Sequence, residues 1–224
     1  MNPLRPFLPK GLRPYRVLGG YFAGLRLLLD LQCEFQHYVG LYERELLPHW
    51  RRLGHDCRSV VDLGAAKGEL AVRSLLRREI ERVIAVEPAA PELEQFARNL
   101  ELNGLTGDPR LHLHAGYAGR GAGPEWRTLD ELAADLPEPI LVKIDIDGPE
   151  ADVLRTGAAL LRRDCRFVIE THSPEAETDC LALLHAVGYR TKIVDLAWWR
   201  RWLPELRIVA HNRWLVAARP PLEP

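Results

Sequence analysis

The sequence predicts an α/β protein built on a doubly wound, mostly parallel sheet of seven strands, the last antiparallel, preceded by an N-terminal helical extension. Three observations carry this. From Ser59 onward short apolar runs alternate with amphipathic stretches of helical length, the pattern of a sheet covered by helices on both faces. The chain ends instead in two strand-like runs joined by a short amphipathic piece, which suits an antiparallel closing pair. Its 224 residues fit one domain with an appendage.

The first 29 residues carry Arg and Lys but no acid until Asp30. The apolar run Val17 to Leu25 is too short to span a bilayer and is followed at once by Arg26, so a proline-rich arm leading into a packed helix is expected rather than a membrane segment. Residues from about 21 to 52 read as helical, and Gly54 to Ser59 form a break. This divides the chain into an arm and helical extension (1–54) and a main domain (55–218).

The strand SVVDL opens the domain and leads into a helix from Glu69. RVIAVE follows, then PELEQFARNLELNG, where Leu93, Phe96, Ala97 and Leu100 give one apolar stripe, Pro91 suits the first turn and Asn103-Gly104 supplies a stop. RLHLHA precedes a helix opening at Thr128, which with Glu131 forms a capping-box pair. PILVKID leads to PEADVLRTGAALLRR, and RFVIET leads through Ser173-Pro174 to PEAETDCLALLHAVG. YRTKIVD, the Trp-rich AWWRRWLPEL and NRWLVAAR close the chain.

Lys+Arg 30 against Asp+Glu 31 leaves a formal charge of -1, which gives no electrostatic case for a polyphosphate partner, so nucleic acid is not expected. The four cysteines, Cys33, Cys57, Cys165 and Cys180, are scattered without a CxxC pair. A reducing cytoplasm is the simplest compartment, and structural zinc is not expected.

The stretch VVDLGAAKGEL is a buried strand that ends in an acid and a glycine loop and opens a helix, a place for a nucleotide-like ligand. Gly64 and Gly68 stand four apart rather than in a GxGxxG, and Asp62 precedes the turn. A carboxylate about 4 Å from a phosphate charge is repelled by roughly 4 kcal/mol at an effective dielectric of about 20, which argues against a dinucleotide. S-adenosylmethionine carries an ammonium, a sulfonium and a carboxylate but no phosphate, and an acid near the loop favours it. Glu87, ending the second strand, is placed to take ribose hydroxyls.

A second constellation, LVKIDIDGPE, puts Asp145 and Asp147 at the carboxyl end of the fourth strand, where open α/β sheets bind ligands. Asp147 also reads as an ordinary helix cap. Lys143, inside an apolar strand, calls for a carboxylate partner. IETHS places Glu170 and His172 near the same crevice. Methyl transfer to an oxygen needs in-line approach and removal of a hydroxyl proton, and Asp145, Asp147 and His172 are the candidates to remove it. Two aspartates and a histidine are also ligand types for Mg²⁺ or Mn²⁺, but no spacing is diagnostic and a divalent metal is not expected.

These motifs together resemble the FkbM-type class I methyltransferases, through VVDLGAAKG, VIAVEP with ARNLELNG, TLDEL, VKIDIDGPEADVLRTGAALL and FVIETH, over about residues 58 to 190. The resemblance implies a Rossmann-like sheet of the class I type, S-adenosylmethionine as donor and a hydroxyl acceptor on a sugar, glycoside or secondary metabolite. Carried onto this chain, the donor site uses Asp62, Gly64, Ala65, Gly68 and Glu87, with Pro88 and Ala115 at neighbouring strand ends and Asp145 at the reacting end. The family's loop typically reads DxGANxG, and Ala66 stands here where that Asn falls. Its fourth-strand motif commonly reads KIDVEG, and Asp147 replaces the Glu. Acceptor contacts are expected from Gln36 to Tyr42, Gly116 to Trp126, and Trp198, Trp199 and Trp202. A donor-binding partner without catalysis, an RNA methyltransferase and a nicotinamide dehydrogenase are the competing readings.

Overall fold

The computed structural model describes residues 7–202 and 211–219. Seven strands form the main sheet: β3 (Ser59–Leu63), β4 (Arg82–Val86), β5 (Leu111–His114), β8 (Ile140–Ile144), β9 (Cys165–Thr171), β10 (Arg190–Val194) and β11 (Arg213–Ala218). Their order is β10-β11-β9-β8-β3-β4-β5. All neighbours run parallel except β11, which lies antiparallel between β9 and β10. The expected doubly wound sheet with an antiparallel last strand is therefore present. Chain order reverses at β3, between β4 and β8, which opens a crevice at the carboxyl ends of these strands.

Successive side chains leave a strand on opposite faces. In β8, Leu141 joins the apolar layer beneath α2 (Leu47–Leu53), α3 (Glu69–Leu75) and α4 (Ala90–Leu102), while Ile140, Val142 and Ile144 join the layer beneath α5 (Leu129–Ala133), α6 (Glu150–Arg155) and α7 (Pro174–Ala186). The alternation leaves Lys143 on the same face as Leu141. Asp62, its partner in the β3–β8 register, shares that face. Asp145 and Glu170 follow two residues beyond Lys143 and Val168, so the polar strand ends converge on the side covered by the N-terminal extension.

That extension is not purely helical. Residues 21–30, which the pattern reads as helix, hold a turn and the strand β2 (Arg26–Leu29), paired antiparallel with β1 (Arg13–Arg16). The short Arg-Leu-Leu-Leu run fits either period, and side chains of α4 decide it. Asn99 Oδ1 accepts from the Leu28 amide at 2.8 Å and Gln95 Nε2 donates to the Leu28 carbonyl at 2.7 Å. Asn103 takes both backbone groups of Arg26, at 3.0 and 2.7 Å. These amides, four residues apart on one helix face, stand in for a third strand and satisfy an edge whose groups would each cost about 1–3 kcal/mol if buried unpaired.

Helix follows in α1 (Leu31–Val39), where Asp30 caps the Gln32 amide and Gly40, at φ 78, ends the run. A short 3-10 turn over Arg44–Leu46 then enters α2. Between β5 and α5, two short strands, β6 (Tyr117–Ala118) and β7 (Trp126–Arg127), pair with each other, with Tyr117 and Trp126 stacked at 4.8 Å. Of the Trp-rich insert, Trp198–Arg201 form a 3-10 turn, and residues 203–206 lie outside the described residues. No helix of the described residues is long and apolar enough to cross a membrane.

Candidate active site at the strand ends

The glycine loop between β3 and α3 is held by backbone geometry. Gly64 (φ 73), Ala66 (φ 45) and Gly68 (φ 83) all occupy the left-handed region. A Cβ on Gly64 would lie 1.8 Å from the Asp145 carbonyl oxygen, and one on Gly68 would lie 2.1 Å from the Phe96 ring. We expect Gly64→Ala to cost about 2–4 kcal/mol in denaturant unfolding, because the left-handed penalty adds to an overlap with main chain that no rotamer relieves. Ala66 takes the left-handed turn without the local hydrogen bonding that an Asn brings to it.

Glu87 holds this loop. Its Oε2 accepts from the Ala66 amide at 2.9 Å and its Oε1 from the Ala89 amide at 2.8 Å. The extension is fastened to the same loop: Lys67 pairs with Glu34 of α1 and, at 3.3 Å, with Glu69, while His37 Nε2 lies 3.5 Å from Glu69. The His37 ring stacks on Tyr42 at 3.8 Å.

Beneath the loop, Lys143 Nζ lies 3.0 Å from Asp145 Oδ2 and 3.8 Å from Asp62 Oδ1, which supplies the carboxylate partner its buried position calls for. Burial opposes the Lys143 charge, but Asp145, Asp62 and Glu43 outweigh it and raise its pKa. The acids around it respond in the other sense. Burial pushes Asp62 up to about 7 despite Lys143, and Glu170 is likewise raised to about 7, by burial and then by Asp145. Asp62 is only 1% exposed and its Oδ1 has no hydrogen-bond partner.

His172 stands at the mouth of this group. Its Nδ1 meets Glu150 Oε1 at 2.5 Å, and Glu150 is fully buried. A buried carboxylate there selects the Nδ1–H tautomer and turns Nε2 toward the cleft. Nε2 faces Asp147 Oδ1 at 3.2 Å, Glu170 Oε1 at 3.7 Å and Asp145 Oδ1 at 3.8 Å. Burial opposes the imidazolium, yet the Glu150 hydrogen bond and the carboxylates of Glu170, Glu150 and Asp145 prevail, so its pKa is raised. Asp147 sits at φ 52. The N-cap residue of α6 is Pro149, which makes no side-chain cap, and Asp147 turns toward His172 instead.

Asp145, Asp147 and His172 offer ligand atoms within 4.8 Å of one another, as do Glu43, Asp145 and Glu170. Such groups suit a hard cation. In the second, Lys143 already supplies positive charge beside Asp145; in the first, the fixed tautomer of His172 suits proton transfer.

Two adjoining cavities meet here. A cleft of about 320 Å³ runs from Glu92 and Gln95 of α4, over Ala66 and Lys67, to Asp145, Glu170 and His172, with Glu34, Gln36, His37 and Tyr42 of the extension as its opposite wall. A smaller cavity of about 50 Å³ beneath the loop is lined by Asp62, Gly64, Ala65, Glu43, Lys143 and Asp145 among others. Tyr42, Ala66, Glu69 and Asp145 border both. The orphaned Asp62 oxygen would suit the ammonium that S-adenosylmethionine carries better than a phosphate.

Asp62, Gly64, Ala65, Asp145 and His172 therefore come together as the sequence suggests, with Asp147 beside His172. Gly68, Glu87, Pro88 and Ala115 line neither cavity, and Gly68 and Glu87 shape the loop. Sequence reasoning missed Glu150, Glu43 and the wall built by α1. Glu150 follows Asp147 by three residues in the quoted motif, but nothing in the sequence sets it against His172, 22 residues further on.

Residues 121–191, about a third of the chain, match the family model described as the methyltransferase FkbM domain. This segment runs from the loop before α5 through α7, so it contains Asp145, Asp147, Glu150 and His172 and leaves the glycine loop outside. No curated protein matches the chain. Among solved structures, the FkbM methyltransferase from Methylobacillus flagellatus KT is similar at 21% identity and a TM-score of 0.58 over 72% of this chain. This chain spans 44% of that protein's length. An rRNA methylase from Streptococcus thermophilus gives 15% identity and a TM-score of 0.52, covering 79% of this chain and 97% of its own. The corresponding values for a putative rRNA methylase from Clostridium thermocellum are 11%, 0.52, 78% and 94%. At these identities the likeness establishes the fold, the Rossmann-like methyltransferase sheet with its antiparallel last strand.

Proposed function

We propose that this chain, which matches the FkbM methyltransferase domain over residues 121–191 on a methyltransferase fold, is an S-adenosylmethionine-dependent O-methyltransferase acting on a hydroxyl of a sugar, glycoside or secondary metabolite. The observation that carries the reading is the Glu150–His172 pair, whose Nε2 faces the acid-lined cleft beside Asp145. When bound, the donor supplies an electrophilic methyl carbon and leaves as a neutral thioether.

The chain's own residues do the rest. Asp62 and the loop backbone at Gly64 and Ala65 would hold the donor's amino-acid end, and Glu87 keeps the loop in place. Glu92 and Gln95, which line the larger cleft, would hold its adenosine. His172 Nε2 takes the acceptor's proton as the hydroxyl oxygen bonds to carbon, while Glu150 holds the ring and stabilises the imidazolium. Positioning of this kind supplies roughly 7–11 kcal/mol of the barrier, and a general base adds about 10²- to 10⁴-fold.

The acceptor side is framed by Trp198 and Trp202, which are 74% and 75% exposed, on a turn fastened to the cleft wall through Arg200 and Gln36. Exposed indoles suit stacking on a sugar or an aglycone. A polyphosphate acceptor is disfavoured by the carboxylates of Glu34, Glu69, Glu92, Asp145 and Glu170 around the cleft. The four free thiols accord with a reducing cytoplasm.

Incubation with methyl-labelled S-adenosylmethionine and a panel of glycosides and polyhydroxylated metabolites tests the assignment. The expected product is a labelled methyl ether. Label only on nitrogen, on carbon or on RNA would reject it. Asp62→Ala is expected to weaken donor binding about ten- to a hundredfold, through loss of a charge-assisted hydrogen bond of roughly 1.5–3 kcal/mol, read by calorimetry.

A further inference from the structure

Glu43 has no part in the mechanism above, yet it is 4% exposed and held in the left-handed region at φ 45. It sits on the turn after α1, outside the segment that matches the FkbM domain. Its carboxyl lines the small cavity beneath the glycine loop with Asp62, Gly64, Ala65 and Asp145. One of its oxygens lies within 4.8 Å of carboxylate oxygens of Asp145 and Glu170, and its side chain hydrogen-bonds Tyr42, which borders both cavities.

Four carboxyls, from Glu43, Asp62, Asp145 and Glu170, thus surround the single ammonium of Lys143. Lys143 reaches Asp145 at 3.0 Å but Asp62 only at 3.8 Å. The Asp62 oxygen on that side is buried without a hydrogen bond, so a donor group is wanting inside the cavity. A second cation at this place would satisfy Asp62 and offset the excess of carboxyls.

We propose that the N-terminal extension completes the methyl-donor pocket, with Glu43 and Asp62 together receiving the donor's α-ammonium. The inference rests on the donor assigned above and adds a residue from outside the methyltransferase sheet. In the unliganded protein, burial first and then Glu170 and Asp145 hold the Glu43 carboxyl well above its ordinary range, against the pull of Lys143. The arriving ammonium is the charge that lets this carboxyl ionise. Tyr42, hydrogen-bonded to Glu43 and stacked on His37, ties the same turn to the cleft wall.

The test is a calorimetric series on the full chain with S-adenosylmethionine, S-adenosylhomocysteine and 5′-methylthioadenosine, the last lacking the amino-acid end. Glu43→Gln preserves shape and removes the ionisable carboxyl. The expected result is a loss of about ten- to a hundredfold in affinity for the first two ligands, with 5′-methylthioadenosine unchanged. An equal loss for all three would mean that Glu43 only shapes the pocket, and unchanged binding of all three would remove it from the site; either outcome overturns the inference while leaving the donor assignment intact. Absence of binding of all three by the unaltered protein would overturn both. Should Glu43→Gln fail to fold, Glu43→Asp keeps the charge, tolerates the left-handed backbone and shortens the reach, and the same selective loss is expected.

Discussion

Replacing His172 by alanine is expected to lower turnover by about 10²- to 10⁴-fold, the range of a general base, while donor affinity changes little. The side chain is 10% exposed, its Nδ1 is bonded to Glu150, and its Nε2 is the nitrogen that faces the cleft. The imidazole must be neutral to accept a proton, and its pKa is raised by the Glu150 hydrogen bond and by the carboxylates of Glu170, Glu150 and Asp145. The rate should therefore rise with pH through a midpoint above the ordinary histidine value of about 6.5. Glu150→Gln removes the anion that stabilises the imidazolium, so this midpoint should move down as the maximal rate falls. pH–rate profiles of the unaltered protein and of Glu150→Gln check both statements, and a flat profile for the unaltered protein would contradict the assignment of the base.

Arg200→Ala is expected to destabilise the protein by about 3 kcal/mol in denaturant unfolding, the lower end of the range for breaking a buried ion pair. Arg200 and Glu45 have side chains 5% exposed. The guanidinium makes two bonds of 2.8 Å to the Glu45 carboxylate, one of 2.7 Å to Gln36 and one of 2.9 Å to the Leu41 carbonyl. Burial alone would raise the Glu45 carboxyl, but Arg200 and the Ala197 amide hold it below its ordinary value. The contribution is therefore present at neutral pH and fades as pH falls through the lowered value. Because the same contacts join the tryptophan turn to the wall carrying Gln36 and Tyr42, acceptor affinity should fall more than donor affinity. Equal losses for both would separate the turn from the acceptor side.

The main sheet was legible because each strand is an apolar run bounded by turn residues, and because the tail broke the alternation that precedes it. Asp145 and His172 were legible for a related reason: both sit just past strand ends whose register the alternation determines, and Lys143 announced a carboxylate partner by its type. The extension was harder. Arg26–Leu29 is too short for its period to be read, and the groups that make it a strand come from Gln95, Asn99 and Asn103, about 70 residues away. The cap role considered for Asp147 gave way because its carboxyl faces the His172 imidazole, just past the end of β9. The hydrogen bonds from the Ala66 and Ala89 amides to Glu87 were not legible, because they depend on loop geometry that the residue types do not determine.

Calorimetric titration of the unaltered protein with S-adenosylmethionine and with NAD, repeated with Asp62→Ala, decides what the cavities over and beneath the glycine loop hold. Micromolar binding of S-adenosylmethionine, weakened in the variant, and no response to NAD are expected. Binding of NAD, or S-adenosylmethionine affinity indifferent to Asp62, would overturn the donor assignment.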